Sequence, residues 1–106
     1  MNELRERTVI VTGGLTPKID LFCKKYHIAS LALFGSILTP QFKDSSDVDF
    51  LVKFEQTHTP SPFDLVDIES ELCAIVGRPV DLKTPNELSR YFRDDVLAQA
   101  KVIWEE

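Results

Sequence analysis

The sequence predicts one small α/β (α+β) domain in which helices cover a short mixed sheet. Its 106 residues leave room for a single domain. Hydrophobic residues make up 43% of the chain and charged residues 27%, which is typical of a globular protein and unlike a disordered one. Helical and strand-like periods alternate without a repeat or an interdomain linker, so we expect one domain over residues 1–106.

The first half of the chain predicts a helix followed by two strands. Thr16 and Pro17 are typical of an N-cap and a first helical position. The stretch after them has an apolar stripe at helical spacing, formed by Ile19, Phe22, Cys23 and Tyr26. Residues 30–34 are a short apolar run that predicts a buried strand. Residues 47–54 alternate, with Val48, Phe50, Val52 and Phe54 on one face and Asp47, Asp49, Leu51 and Lys53 on the other.

The second half predicts another helix and a third strand. Ser61, Pro62 and Asp64 have the pattern of an N-cap, a first-turn proline and a capping box. Gly77 is the expected end of this helix, because glycine accepts the left-handed conformation common at helix ends. Residues 80–84 predict a short third strand.

The two ends of the chain have weaker patterns. Asn86 or Ser89 is expected to cap a last helix that runs to about Ala100. A short extended tail at residues 101–106 follows it. Residues 8–12 alternate only weakly, and within residues 1–15 we expect either an edge strand or a loose arm.

Charge and cysteine usage restrict the partners and the compartment. Asp and Glu outnumber Lys and Arg by 17 to 12, so sequence-independent binding to nucleic acid is disfavoured and a cation site is compatible. No apolar run approaches the roughly 18 residues that cross a membrane, and the charged N-terminus lacks a signal-peptide core. Cys23 and Cys73 lie in apolar patterns and are expected to be buried free thiols, so we expect a cytoplasmic protein with no membrane partner.

Polar residues with a chemical role stand at the ends of the predicted strands. Gly35 and Ser36 close the first strand, and Asp47 and Asp49 begin the second after ten intervening residues. Aspartates at positions i and i+2 of a strand share a face and repel each other unless a cation or a proton intervenes. Carboxylate oxygens suit Mg²⁺, and Asp81 completes a trio if its strand neighbours the second one. Such a trio can hold two ions about 3.5–4 Å apart in phosphoryl chemistry.

The glycine and serine add features of a phosphate site. Gly35 permits close backbone approach, and Ser36 presents a hydroxyl and an N–H at an expected helix N-terminus. Taken singly, the Gly-Ser pair fits a turn and the aspartates fit a solvated surface. The Gly-Ser pair and the Asp-x-Asp motif at this spacing occur by chance in a chain of this length with a probability on the order of 10⁻³.

This arrangement resembles the signature of the nucleotidyltransferases related to DNA polymerase beta. The small size and the run from Leu31 to Ser36 resemble most the minimal nucleotidyltransferase antitoxins, over about residues 16–106. The resemblance implies a Mg²⁺-dependent enzyme that transfers AMP from ATP to a hydroxyl, commonly of a tyrosine, on a cognate HEPN-domain ribonuclease toxin. It would thereby act as the antitoxin of a toxin–antitoxin pair.

The resemblance also implies a role for each site residue. Asp47 and Asp49 would each ligate the two Mg²⁺ ions. Asp81 would ligate the catalytic ion and help to activate the acceptor hydroxyl. Gly35 and Ser36 would hold the triphosphate of ATP.

One departure from the family pattern keeps other functions open. Many relatives carry an Arg-Gly pair where this chain has Thr39 and Pro40. The cationic contact to the phosphates is therefore absent, or Lys43 or Arg78 supplies it, although both also fit a solvated surface. The departure favours an antitoxin that neutralises its partner by binding alone, whereas the aspartate trio favours the enzyme. Transfer to a small molecule is a weaker alternative, because the chain has little room for a substrate domain.

The histidines predict no site of their own. His27 follows the helical stripe with no second ligand at metal spacing, so we expect a cap or a surface residue. His58 lies in the loop after the aspartate strand, where it could reach a nucleotide but is expected to be solvated.

Overall fold

Three helices and four strands follow one another along the part of the computed structural model that is described, residues 16–43 and 46–106, with side chains from residue 17. In chain order they are α1 (Thr16–Lys25), β1 (Ile28–Phe34), β2 (Val48–Phe54), α2 (Pro62–Val76), β3 (Val80–Lys83), α3 (Arg93–Gln99) and β4 (Lys101–Glu105). Single 3₁₀ turns follow β1 and β3, at Gly35–Leu38 and Pro85–Glu87. The arm or edge strand expected at residues 8–12 and the side chain of Thr16 lie outside the described residues.

The strands form one mixed sheet in the order β3-β2-β1-β4. β1 is antiparallel to both β2 and β4, and β2 is parallel to β3. A parallel pair requires a crossover connection, which α2 provides. The predicted fold class, a short mixed sheet covered by helices, is confirmed.

The main core lies between one face of the sheet and the helices α1 and α2. The side chains that fill it are Ile19, Phe22, Cys23, Ile28, Leu31, Leu33, Ile37, Val48, Phe50, Val52, Ile68, Leu72 and Leu82. The predicted alternation of β2 is therefore right for its helix-covered face. Leu51 belongs to the other face, yet only 3% of it is exposed, and its β1 neighbour Ala32 is also buried. The centre of the second face is thus apolar as well.

Side-chain caps determine how α2 begins and how it holds β3. The Ser61 N–H donates to Asp64 Oδ2 at 3.0 Å, and the Asp64 N–H donates to Ser61 Oγ at 3.1 Å, which confirms the predicted capping box. From the middle of α2, Glu69 Oε2 accepts a hydrogen bond from the Leu82 N–H at 2.9 Å. Since β3 is at the edge of the four described strands, this bond satisfies an N–H group that none of those strands pairs. It fixes the position of β3 and so of Asp81.

The predicted start of the last helix is wrong. A second capping box between Thr84 and Glu87 closes the 3₁₀ turn, and the Thr84 N–H donates to Glu87 Oε1 at 3.1 Å. The chain is then extended at Leu88, with φ −77° and ψ 141°, so a helix capped by Asn86 cannot continue past it. Ser89 caps only the turn that precedes the helix: its Oγ accepts from the Tyr91 N–H at 3.3 Å, and its carbonyl oxygen accepts from the Arg93 N–H at 2.9 Å. α3 begins only at Arg93. The tail expected to be extended is the edge strand β4.

Further contacts join the helices to each other and to β4. Trp104 Nε1 donates to Asp20 Oδ1 at 3.0 Å, and this hydrogen bond, with the nearby Lys24, lowers the pKa of Asp20. The Tyr26 hydroxyl donates to the Glu71 carboxylate, which ties α1 to α2.

The described residues also bear on the cysteines and on membranes. Cys23 and Cys73 are free, and burial raises the pKa of the Cys23 thiol to about 12. None of the helices in the described residues combines the length and the apolar character that a membrane crossing needs.

Candidate functional site

The site residues named from the sequence meet at one end of the sheet. Asp49 of β2 pairs with Phe34 of β1 on one side and with Asp81 of β3 on the other. Gly35 follows Phe34 directly, so it lies beside Asp49. Asp47 is exposed and precedes β2, which begins at Val48 rather than at Asp47. The sequence allowed the strand of Asp81 to be the neighbour of β2 but did not establish it. The structure shows that the two strands are neighbours.

Gly35 is in contact with the central carboxylate. Its φ is +77°, and a Cβ atom built on it would lie 2.3 Å from Asp49 Oδ2. Glycine is needed here for two reasons, the left-handed backbone and the absence of a side chain. The sequence predicted that the Gly35 backbone comes close to a phosphate. In this structure the group close to it is the Asp49 carboxylate. The Ser36 backbone N–H donates a hydrogen bond to the same carboxylate.

The electrostatics of Asp49 indicate a site with an excess of negative charge. Burial is the largest cause that raises the pKa of Asp49 above its usual value, and the charges of Asp81 and Asp47 raise it further. The Ser36 N–H and the Lys83 ammonium act in the opposite direction. Asp49 and the neighbouring Asp81 and Asp47 offer the hard oxygen ligands that Mg²⁺ prefers, and a divalent cation would relieve their repulsion. The donor set fits Mg²⁺.

Lys83 is a site residue that the sequence reasoning missed. It lies two residues after Asp81 on the same face of β3, and its Nζ is 3.6 Å from Asp81 Oδ1. The spacing that placed Asp47 and Asp49 on one face would have identified it. Lys83 brings a cation to the site at which phosphates are expected.

Thr39, at the position where the resemblance implies an arginine, has a structural role. Its hydroxyl and its backbone N–H both donate to the Ser36 carbonyl oxygen, at 2.8 and 2.9 Å, and so close the 3₁₀ turn. Of the two substitutes considered for the missing cation, Lys43 is exposed. The Arg78 guanidinium lies 5.3 Å from the centre of the Phe42 ring, which packs on the helix-covered core. Lys83, rather than Lys43 or Arg78, is the cation whose charge lowers the pKa of Asp49.

A groove of about 690 Å³ opens beside Gly35 on the second face of the sheet. Its size falls in the range of small-ligand sites, roughly 300–1,000 Å³. One wall is the end of β1 and the turn after it, and the other is the segment before α3 and α3 itself. The lining residues are Phe34, Gly35, Leu38, Thr39, Leu88, Ser89, Phe92, Val96 and Gln99. His58 does not reach this groove, because it stacks on His27 at the opposite end of β2.

Comparison with known proteins gives one family throughout. Residues 17–106 match the family model described as polymerase beta, nucleotidyltransferase. A Methanocaldococcus jannaschii protein provisionally named a protein adenylyltransferase is 33% identical over 83 residues, which are 78% of this chain and 87% of that protein. The protein adenylyltransferase MntA of Thermococcus cleftensis is 32% identical over 80 residues, with 76% of this chain and 79% of MntA covered.

Solved structures show the same fold. One described as a candidate minimal nucleotidyltransferase has a TM-score of 0.65 at 25% identity and covers 84% of this chain and 92% of its own. A chain in the complex of a tri-AMPylated Shewanella oneidensis HEPN toxin with an MNT antitoxin has a TM-score of 0.61 at 21% identity. That match covers 85% of this chain and 69% of the other.

Proposed function

The chain belongs to the polymerase beta-type nucleotidyltransferase family, and we propose that it transfers AMP from ATP to a tyrosine hydroxyl of a cognate HEPN-domain toxin. It would thereby act as the antitoxin of the pair. The single observation that carries the proposal is the Asp49 carboxylate, which lies against Gly35 and is surrounded by the charges of Asp81 and Asp47. Burial and these two neighbouring carboxylates raise the pKa of Asp49, and such an arrangement is costly in a pure scaffold.

The names of the relatives support protein as the acceptor and AMP as the group transferred. Two relatives of about the same length as this chain carry the name protein adenylyltransferase. A chain of similar fold occurs in a complex whose HEPN toxin is tri-AMPylated. The free thiols of Cys23 and Cys73 support the cytoplasm as the place of this reaction.

In the proposed reaction, the acceptor hydroxyl attacks the α-phosphorus of ATP in line with the leaving pyrophosphate. A new oxygen–phosphorus bond forms, the bond between the α- and β-phosphates breaks, and the hydroxyl proton is released. Asp81 would accept this proton or orient the hydroxyl. Asp47, Asp49 and Asp81 would hold two Mg²⁺ ions, which neutralise charge on the triphosphate and on the pyrophosphate.

The remaining residues position the nucleotide. The turn that starts at Gly35 and Ser36 would hold the triphosphate next to the carboxylates, and Lys83 would add a positive charge there. The apolar groove beside Gly35 is the place for the nucleoside, where the exposed ring of Phe92 offers a flat surface. Catalysis then rests on orientation and charge neutralisation.

The decisive experiment compares the native chain with the double variant Asp47→Asn and Asp49→Asn. The proposed cognate HEPN-domain toxin is incubated with each of them, with ATP and Mg²⁺, and its intact mass and ribonuclease activity are measured. We expect the native chain to add one or more AMP units and to abolish the ribonuclease activity. The double variant should do neither, although it preserves the side-chain volumes.

A matched control removes two charges elsewhere. Asp67→Asn with Asp95→Asn changes exposed side chains outside the carboxylate cluster and should leave AMP transfer unaltered. If the double variant of the site neutralises the toxin fully while the mass of the toxin never changes, the chain is a binding antitoxin and the transferase mechanism is wrong. Calorimetry of ATP with and without Mg²⁺ tests the ions separately, since equal affinities would exclude the two-ion site.

A further inference from the structure

A second cluster of potential ligands lies at the opposite end of β2 from Asp49. His27 stands between α1 and β1, Glu55 follows β2 directly, and His58 is three residues further on. Glu55 Oε2 is 3.7 Å from His27 Nδ1 and 3.6 Å from His58 Nδ1. His27 is exposed, as expected from the sequence, but the fold brings it beside residues that its sequence spacing did not indicate.

The backbone fixes this arrangement although the side chains reach the surface. The Glu55 N–H donates to the His27 carbonyl oxygen, and the His58 N–H donates to the Glu55 carbonyl oxygen, both at 2.9 Å. His27 itself has φ +57°, a left-handed conformation that is uncommon outside glycine. The two imidazole rings stack with centroids 3.6 Å apart and an angle of 10° between their planes.

A second carboxyl group adds negative charge at the same place. β4 ends beside the start of β1, and the Glu106 N–H donates to the Ala29 carbonyl oxygen at 3.0 Å. The Glu106 side chain is hydrogen-bonded to Glu55, so a further carboxylate oxygen lies beside the cluster.

We propose that His27, Glu55 and His58 form a binding site for a divalent transition metal, with Zn²⁺ as the preferred ion. One ligand atom from each residue lies within 4.8 Å of the others. In a tetrahedral zinc site with bonds of about 2.0–2.1 Å, neighbouring ligand atoms are about 3.4 Å apart. The measured separations of 3.6 and 3.7 Å are close to that value.

The chemistry of the donors separates this site from the aspartate cluster. Two imidazole nitrogens and one carboxylate suit Zn²⁺, whereas an all-carboxylate cluster suits Mg²⁺. The metal must lie in the plane of each ring, so the stacked rings have to tilt apart when it binds. Their exposure permits this, because 50% of the His27 side chain and 42% of the His58 side chain is accessible. Water or Glu106 can supply a fourth ligand.

The experiment is a titration of the full chain with ZnCl₂ alone, followed by NMR of the imidazole groups. The sequence contains only two histidines, so every imidazole signal reports on this cluster. We expect both sets of signals to shift and saturate at one equivalent of Zn²⁺. The melting temperature should rise with Zn²⁺, since an ion that binds only the folded state stabilises it.

Two double variants make the assignment specific. His27→Asn with His58→Gln removes the nitrogen ligands and uses asparagine where the backbone is left-handed. It should weaken Zn²⁺ binding by at least tenfold and abolish the rise in melting temperature. Asp47→Asn with Asp49→Asn is the matched variant at the other end of the sheet, and its Zn²⁺ affinity should stay within twofold of the native value. The proposal is overturned if Zn²⁺ shifts no imidazole signal, or if only the aspartate variant loses binding.

Discussion

The contact between Gly35 and Asp49 makes Gly35→Ala the most informative single substitution at the site. Alanine would add a Cβ atom 2.3 Å from Asp49 Oδ2, whereas real Cβ contacts are essentially never below 3.0 Å. The carboxylate must therefore move by about 0.7 Å at least. Because a misplacement of about 1 Å can cost on the order of 100-fold in rate, we expect AMP transfer to fall roughly 10- to 100-fold.

The same substitution also strains the backbone, and this second effect must be separated from the first. A residue with a Cβ atom in the left-handed region costs about 1–2 kcal/mol. Gly77 offers a matched control, because its φ of +79° is nearly the same as the +77° of Gly35, while nothing lies within 4 Å of the Cβ position. Gly77→Ala therefore carries the backbone cost without the contact.

The assay measures both properties on both variants. Urea denaturation should show a loss of about 1–2 kcal/mol for Gly77→Ala and at least as much for Gly35→Ala. AMP transfer, measured well below both melting temperatures, should be nearly native for Gly77→Ala and strongly reduced for Gly35→Ala. Equal activities of the two folded variants would refute the argument, because the position of Asp49 would then not depend on Gly35.

Two further predictions concern the charges around Asp49. Lys83→Gln should weaken the binding of ATP with Mg²⁺ about three- to tenfold in calorimetry, because the half-exposed ammonium group contributes roughly 1 kcal/mol to binding. Lys83→Arg keeps the positive charge and should restore most of the affinity. Burial and the charge of Asp81 raise the pKa of Asp49 in the folded state above its usual value of 3.8. Protonation of Asp49 therefore stabilises the fold. This stabilisation is complete below pH 3.8 and is lost as the pH rises through the pKa of Asp49 in the folded state. Asp49→Asn should therefore be more stable than the native chain at pH 7 without Mg²⁺, and the difference should vanish in denaturation experiments at pH 3.

The parts of the site that the sequence predicts are those governed by local patterns. The alternation of β2 puts Asp47 and Asp49 on one face, and the glycine after β1 marks the turn that meets them. The burial of Leu51 on that same face could not be foreseen, because it depends on what covers the second face of the sheet. Lys83 could have been identified from the sequence, because it follows Asp81 by two residues on the same strand and therefore lies on the same face.

The failures have non-local or competing causes. Asn86 is a good helix cap by type, but the capping box from Thr84 to Glu87 closes a separate turn and the chain is extended at Leu88. Ser89 caps the turn before α3, and the regular helix starts only after that turn. The cluster of His27 and His58 depends on the pairing of β1 with β2, which no spacing along the chain shows. Long-range pairing also determines that the C-terminal tail becomes a strand.

The position of β4 at the edge of the four described strands has a consequence for the order in which the sheet forms. Residue 33 pairs with residue 50 across β1 and β2, whereas residue 30 pairs with residue 105 across β1 and β4. Because the longer loop costs more entropy to close, we expect β4 to dock after the other three strands. We also expect β4 to detach first in local unfolding, which would break the hydrogen bond between Trp104 and Asp20 and expose the backbone groups of β1 that β4 covers. Opening of this edge leaves the register of Asp49 with Asp81 intact while it exposes a template to which a strand from another polypeptide can add.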